Sequence, residues 1–182
     1  MYQCQCRLDT AARSLALLNA KTKEEAARLA GDLTALNQSR KALTEKGKEE
    51  AIRIIETTEL KNDRVLVVYL PDCHESLAGI IAGRIREKYH RPAFVLTGGE
   101  TSAKGSGRSI ESYSMYEELV KCADLMIQFG GHPMAAGLSI EEKNIEEFRR
   151  RLNVNCTLTD EELRPKIVID VPMPVSYITK DW

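Results

Sequence analysis

The chain has 182 residues, of which 43% are apolar and 29% charged, and its formal net charge is −1. This length allows one medium-sized domain with its own core plus an extension, and the composition is that of a globular and not a disordered protein. No apolar run is long enough to cross a bilayer, and the first residues lack the layout of a signal peptide. A chain so close to neutrality needs a local basic patch to bind nucleic acid.

From Asp9 to about Glu59 the sequence predicts one long helix. Thr22 and Glu25 have the spacing of a capping box. Apolar residues then recur at helical intervals: Ala26, Leu29, Ala30, Leu33, Leu36, Leu43, Ile52 and Ile55. This stripe is too small to stabilise a helix of such length alone, so we expect the helix to lie against a neighbour or to bridge two domains.

At Arg64 the pattern changes to alternating strands and helices. RVLVVYL predicts a buried strand, SLAGIIAGRIREKY a helix packed closely through its small residues, and PAFVLT a second strand. A strand, a helix and a strand in this order predict a βαβ unit with parallel strands. SAKGSGRS predicts a third strand running into a loop, and LMIQF and GLSI predict strands on either side of a Gly-Gly-His segment.

Three further Ser/Thr-x-x-Glu patterns predict capped starts of a helix or turn. They begin at Ser114, Ser139 and Thr159. The final run, KIVIDVPMPVSYI, predicts the start of another strand. We therefore expect an α/β fold in which a mixed, partly parallel β-sheet is flanked by helices and preceded by a long linker helix. We also expect the chain to be a middle piece of a longer protein.

The segment KGSGRS, residues 104–109, has the composition of a phosphate-binding site. Its two glycines would let main-chain N–H groups converge on an anion. Arg108 can bind two phosphate oxygens, and the hydroxyls of Ser106 and Ser109 can donate further hydrogen bonds. The alternative is a turn or strand end with solvated charges, and for Lys104 solvation is the expected state.

The segment FGGHPMAAG, residues 129–137, is the second candidate. Gly130 and Gly131 would let the backbone approach a phosphate, to which His132 could donate a hydrogen bond. The alternative is a structural Gly-Gly turn whose histidine bonds to a carbonyl. No complete catalytic set is visible, because the three histidines lie far apart without metal-ligand spacing and no nucleophile elbow occurs.

The cysteines are odd in number and scattered through the chain: Cys4, Cys6, Cys73, Cys122 and Cys156. This usage is typical of reduced thiols in a cytoplasmic protein. Cys4 and Cys6, considered with Cys73 and His74, lack a second ligand pair at the spacing of a zinc site. We therefore expect no metal or other cofactor bound by this chain.

Three segments, taken in order and spacing, resemble the DHH-associated domain of RecJ-type single-stranded-DNA exonucleases. They are HESLAGIIAGRIREKYHRPAFVL, KGSGRSI and FGGHPMAAGLSI, within a stretch from about Arg64 to Leu152. CRLDTAARSLALL resembles that family's linker helix, and LRPKIVIDVPMPVSYI resembles the entry into its OB-fold domain. The resemblance implies a helical linker over 1–62, a substrate-binding domain over 63–155 and a truncated OB-fold-like start over 156–182.

The resemblance also implies a division of labour. The family's DHH half binds Mn²⁺ or Mg²⁺ and cleaves the phosphodiester, while the second half closes the cleft and holds the nucleic-acid backbone and 5′ end. This chain lacks the Asp-His-His motif. The implied function is therefore the single-stranded-DNA-binding part of a 5′–3′ exonuclease of DNA recombination and repair, inactive alone. Its implied partners are DNA and the missing DHH and OB-fold domains of the same protein, with no membrane.

The family's substrate contacts carry over onto six residues of the two glycine-containing segments and one of the linker. These are Ser106, Arg108, Ser109, Gly130, Gly131, His132 and, in CRLD, Arg7. Two alternatives stay open: a DHH phosphodiesterase acting on short oligonucleotides or cyclic dinucleotides, and a stand-alone nucleic-acid-binding or editing module. The long helix and the OB-like tail favour the exonuclease.

Overall fold

A five-stranded sheet forms the centre of the computed structural model, which describes residues 11–166 and 170–177. The strands are β1 (Leu66–Leu70), β2 (Ala93–Thr97), β3 (Ala103–Arg108), β4 (Met126–His132) and β5 (Ala135–Ile140). The helices are α1 (Ala12–Leu18), α2 (Lys23–Thr57), α3 (Glu75–Tyr89), α4 (Met115–Val120) and α5 (Ile145–Asn155). Short 3₁₀ turns cover Glu59–Asn62, Ala123–Leu125, Glu142–Asn144 and Val175–Tyr177.

The strand order in the sheet is β1-β2-β3-β5-β4. β1 and β2 are parallel and are joined through α3, which confirms the predicted βαβ unit. The other neighbouring pairs, β2–β3, β3–β5 and β4–β5, are antiparallel. The expected mixed, partly parallel sheet flanked by helices is thus confirmed. The apolar runs of β1 and β2 are explained by burial on both faces.

Helices cover the two faces of this sheet unequally. On one face, α3 and the C-terminal part of α2 pack on β1 and β2 around a core that includes Ile55, Leu66 and Ile81. On the other face, α4 and α5 enclose a core in which Phe94 meets Phe148 edge to face, with ring centroids 5.4 Å apart. Because α3 lies over β2 and β3, the same face of β5 and β4 stays exposed at Gln128, Gly130 and Gly137.

The helical segment before the domain is two helices and not the single predicted one. α1 ends at Leu18, and the chain becomes extended at Thr22 before α2 begins. The Thr22 hydroxyl accepts the N–H of Glu25 at 3.2 Å, so the predicted capping box marks a true helix start. A capping box ends one segment as it begins the next, which is why the predicted helix is interrupted here. Asp9 lies outside the described residues.

α2 reaches the domain at its C-terminal end. Ala51 and Ile55 are fully buried there, whereas Leu43 is exposed. At Gly47 an added Cβ would lie 2.6 Å from the Cδ1 of Ile81 on α3. The glycine therefore allows the two helices to approach closely, and the end of α2 belongs to the core of the domain.

Of the other predicted caps, one is confirmed and two need correction. Thr159 and Glu162 bond reciprocally, with the Glu162 carboxylate accepting the Thr159 N–H at 2.8 Å. Ser114 does precede α4, but its hydroxyl makes no capping bond. Ser139 lies inside β5, and α5 begins only at Ile145 after a 3₁₀ turn. The predicted last strand falls partly on residues 167–169 and 178, outside the described residues.

Candidate nucleic-acid interface

On the side of the sheet that α3 partly covers, β3, β5 and β4 carry most of the predicted site residues in three rows. Residues in register on neighbouring strands project from the same face of a sheet. The rows are Lys104–Ser139–Gln128, Ser106–Gly137–Gly130 and Arg108–Ala135–His132. Consecutive rows are two residues apart along each strand, which is about 6.6 Å. Side chains far apart in the sequence therefore share one surface.

A depression of about 550 Å³ lies over the first two rows. We call it the sheet trough; its floor and walls include Ser76, Lys104, Ser106, Gln128, Gly130, Gly137 and Ser139. The middle row of the trough contains two glycines, Gly130 and Gly137, so Ser106 alone contributes a side chain there. One wall is the first turn of α3, whose N–H groups carry the positive end of the helix dipole.

Arg108 is held in a defined position beside Ser106. Its Nη1 donates to the carbonyl of Gly107 at 2.7 Å and to Oγ of Ser106 at 3.3 Å. Both side chains lie beneath α3 at Gly79, where an added Cβ would be 2.8 Å from Arg108 Nη2 and 2.9 Å from Ser106 Oγ. The absence of a side chain on α3 at this point makes room for the guanidinium, which is half-buried.

The two glycines of KGSGRS have a different role from the one expected. β3 pairs with β2 on one side and β5 on the other, so its main-chain N–H groups serve the sheet ladders and do not converge on an anion. Gly105 and Gly107 face the core on the opposite side of the sheet. An added Cβ at Gly107 would lie 2.6 Å from Phe94 Cε1, and one at Gly105 would lie 2.9 Å from Leu138 Cγ.

The Gly-Gly-His segment is the end of a hairpin. Strands β4 and β5 are joined by a two-residue turn of Pro133 and Met134. Gly131 has a φ of +153°, and an added Cβ would clash with the carbonyl oxygen of Ala135, so this glycine is required by the hairpin. Around Gly130 nothing lies within 4 Å of an added Cβ, so packing does not require this second glycine.

His132 is exposed at the end of β4. Its Nδ1 accepts the N–H of Met134 at 3.3 Å, so the neutral imidazole carries its proton on Nε2. In register it lies two strands from Arg108, about 10 Å away across β5. Two neighbouring phosphates of an extended DNA strand could therefore contact Arg108 and His132, one each.

Two predicted site residues within the described part of the chain do not project from this face: Gly131, which is in register with Ala136 and Gly107 on the opposite face, and Ser109. Ser109 is 1% exposed, and its hydroxyl donates to the carbonyl of Tyr113 at 2.6 Å. Counted along β3, Ser109 falls on the same side as Gly105 and Gly107, so alternation turns it toward the core. Arg7 lies outside the described residues.

Three residues of the trough were missed by sequence reasoning, and one was underrated. Gln128 and Ser76 carry no motif, and Ser139 was predicted only as a helix cap. The register of β5 on its neighbours and the position of α3 bring all three here. Lys104, expected to be solvated beside a turn, is in β3, and its Nζ donates to Ser139 Oγ at 3.0 Å.

Neither metal-binding groups nor reactive thiols mark a second centre within residues 11–166 and 170–177. No three His, Cys, Asp or Glu side chains of this part of the chain come together as metal ligands. Cys73, Cys122 and Cys156 are free thiols, and burial raises the pKa of each, which lowers their reactivity. No helix in the described part of the chain is both long and apolar enough to span a membrane.

The family model described as "DHHA1 domain" matches residues 62–157, which contain the whole sheet and α3 to α5. The chain therefore belongs to the DHHA1 domain family. More particularly, it is 37% identical to the single-stranded-DNA-specific exonuclease RecJ of Salmonella typhimurium, over 96% of this chain and 32% of that protein. RecJ of Bacillus subtilis is 34% identical, over 95% of this chain and 22% of that protein.

Solved structures agree with these relatives. RecJ of Thermus thermophilus in complex with Mg²⁺ has a TM-score of 0.75 at 31% identity, covering 84% of this chain and 24% of that one. An exonuclease RecJ bound to manganese has a TM-score of 0.73 at 31% identity, covering 84% and 38%. The resemblance to RecJ-type exonucleases is confirmed. The chain spans about a third or less of the length of the curated relatives it matches.

Proposed function

We propose that this chain is the nucleic-acid-binding part of a RecJ-like 5′–3′ single-stranded-DNA exonuclease, and that the open face of its sheet holds the phosphate backbone near the 5′ end. The carrying observation is the row geometry: Arg108, fixed beside Ser106, shares one face with Gly130 and His132. We also propose the division into a helical linker over 1–62, a binding domain over 63–155 and the start of an OB-fold-like domain over 156–182.

The chemistry of this face suits a phosphate. An arginine guanidinium can donate two parallel hydrogen bonds to phosphate oxygens, and it stays charged at every physiological pH. The Ser106 hydroxyl and the imidazole Nε2 of His132 add further hydrogen-bond donors on the same surface. Gly130 and Gly137 let a strand lie close to the sheet backbone without meeting a side chain. Because the net charge is −1, such a local site has to supply the attraction.

We place the cleavage chemistry outside this chain. RecJ structures have been solved with Mg²⁺ or Mn²⁺, and we propose that such an ion is bound by the DHH part of the parent protein. In this proposal the chain holds the single-stranded DNA, and the DHH part hydrolyses it with metal-activated water. The chain alone is then expected to bind DNA but not to degrade it.

The extent of similarity supports this proposal over its alternatives. RecJ relatives align over 95–96% of the chain, which includes the helices before the domain as well as the sheet. A phosphodiesterase of cyclic dinucleotides or a stand-alone editing module gives no reason for this shared helical segment. No feature of the trough favours either alternative.

The test is fluorescence anisotropy with a short single-stranded DNA carrying either a 5′-phosphate or a 5′-hydroxyl, across a salt series. We expect tighter binding of the phosphorylated strand and a log–log salt slope that falls by about 0.7 for each phosphate that a variant no longer binds. Arg108→Ala should abolish the preference for the phosphate. Arg84→Ala on α3, where the arginine is solvent-exposed and paired with Glu87, is the matched control.

Equal effects of the two arginine variants, or equal binding of the two strands by the wild-type chain, would contradict the proposal. Circular dichroism of both variants separates a binding defect from a folding defect. A loss of folding in Arg108→Ala alone would mean that the guanidinium supports α3 and not a ligand.

A further inference from the structure

We propose a second phosphate subsite at the opposite end of the sheet trough from Arg108, formed by Lys104, Ser139 and Gln128. It rests on the proposed function, which puts the 5′ end of the strand at the Arg108–His132 row. The ligand is an internal phosphodiester of the same strand. None of these three residues is among the contacts implied by the family resemblance.

The subsite has three donors in one row. Lys104 Nζ donates to Ser139 Oγ at 3.0 Å. This hydrogen bond holds the end of a long, flexible side chain against the sheet. Ser139 is only 8% exposed, so this bond is partly shielded from water. A serine hydroxyl that accepts one hydrogen bond can still donate its own proton. Gln128, in register with Ser139 and exposed, adds an amide donor on the β4 side.

The spacing fits a continuous strand. The Lys104 row and the Arg108–His132 row are four residues apart along β3, so their Cα atoms are about 13 Å apart. An extended single strand covers this distance with two nucleotides. Between the two rows of donors lies the row in which Gly137 and Gly130 carry no side chain. A DNA strand whose 5′ end lies at the Arg108–His132 row therefore passes over the glycines without obstruction. Its third phosphate, counted from the 5′ end, then lies at Lys104.

The carboxylate of Glu75 repels a phosphate in the trough and so makes binding depend on Lys104. Glu75, in the first turn of α3, also lines the trough and is exposed. It stabilises the start of α3 but repels a phosphate held in the trough. Contact with the Lys104 ammonium offsets this repulsion for a phosphate at that end of the trough. Replacing Glu75 by Gln should therefore strengthen binding of the strand by a few fold, to an extent that depends on Lys104.

The experiment uses 5′-phosphorylated single strands in which one linkage at a time is a neutral methylphosphonate. Lys104→Ala should weaken binding of the unmodified strand by about fivefold and lower the salt slope by about 0.7. It should cause no further loss on the strand whose second linkage from the 5′ end is neutral. The preference for a 5′-phosphate should survive in Lys104→Ala and disappear in Arg108→Ala.

Two companions keep the test decisive. Lys104→Gln retains a polar side chain on β3 and should behave like Lys104→Ala if charge is what matters. Lys143→Ala is the control, because this lysine is 75% exposed and paired with Glu141, away from the trough. We expect the control to bind like the wild-type chain.

The possible outcomes separate the two proposals. If Arg108→Ala loses the end preference while Lys104→Ala matches Lys143→Ala, the subsite is overturned and the proposed function stands. If the loss in Lys104→Ala is the same on every neutral-linkage strand, the lysine acts only through long-range charge, which also overturns the subsite. If the wild-type chain shows no preference for phosphorylated strands, both proposals fail.

Discussion

The two glycine-containing segments of this domain look alike in sequence but differ in structure. In β3, Gly105 and Gly107 face the core, and the polar residues that alternate with them project from the opposite face. In the β4–β5 hairpin, Gly130 and Gly137 face the trough themselves. The glycines of β3 allow the core to pack closely, whereas Gly130 and Gly137 of the hairpin leave space on the surface.

The difference shows that glycine by itself does not identify a binding loop. In a strand, alternate residues project from opposite faces, so Gly105 and Gly107 in KGSGR necessarily turn Lys104, Ser106 and Arg108 to one side. The candidate site consists of the residues that alternate with the glycines of β3, together with Gly130 and Gly137 of the hairpin. Four substitutions of glycine or its neighbour test this contrast, and the most damaging comes first.

Gly107→Ala should be the most damaging change. Its Cβ would lie 2.6 Å from both Phe94 Cε1 and Met115 Sδ, in a core that has no room to give. We expect the free energy of unfolding to fall by about 3 kcal/mol, as for other overpacked cores. Urea denaturation followed by circular dichroism measures this. Unchanged stability would mean that the core relaxes around the new methyl group and that packing does not require this glycine.

Gly131→Ala should cost less but still destabilise the protein. An alanine at φ +153° is strained, and its Cβ would clash with the Ala135 carbonyl oxygen, although an edge hairpin can relax. We expect a loss of about 2 kcal/mol, with faster amide exchange confined to β4 and the turn. Gly31→Ala, at an open position of α2, is the control and should instead stabilise the chain by up to about 1 kcal/mol.

Gly130→Ala should separate binding from folding. Because nothing lies within 4 Å of the new Cβ, we expect stability to stay the same or rise by about 0.5 kcal/mol. The methyl group would occupy the floor of the trough, so single-stranded-DNA binding should weaken by about tenfold. Anisotropy and thermal melting of the same sample check both parts. Wild-type affinity would show that the strand does not pass over this row.

His132→Ala should have the smallest effect. The imidazole contributes one donor at the end of the open face, and we expect its loss to weaken binding of a 5′-phosphorylated strand by about threefold. The ring also accepts the Met134 N–H. His132→Asn is therefore the companion variant, because its carboxamide oxygen can take over that bond. Equal affinity of the alanine variant and wild type would exclude a ligand contact.

Local patterns were sufficient for much of the fold. The apolar runs before Pro71 and Gly98 predicted β1 and β2, and the small residues between them predicted the closely packed α3. The Thr22 capping box was correctly placed, but the break that it makes between two helices was not predicted. Of the predicted site residues, Arg108, Ser106, Gly130 and His132 share a face, whereas Gly131 and Ser109 do not.

The amino-acid sequence alone determined which elements form and which residues alternate, because these depend on neighbours within a few positions. Tertiary packing determined which residues of neighbouring strands and helices lie opposite each other. The antiparallel register of β3, β5 and β4 brought Lys104 to Ser139 and Arg108 to the row of His132, and Gly79 of α3 gave the guanidinium its room. Such pairings join residues distant in the chain, and only the packing of the whole sheet selects one register among those that alternation allows.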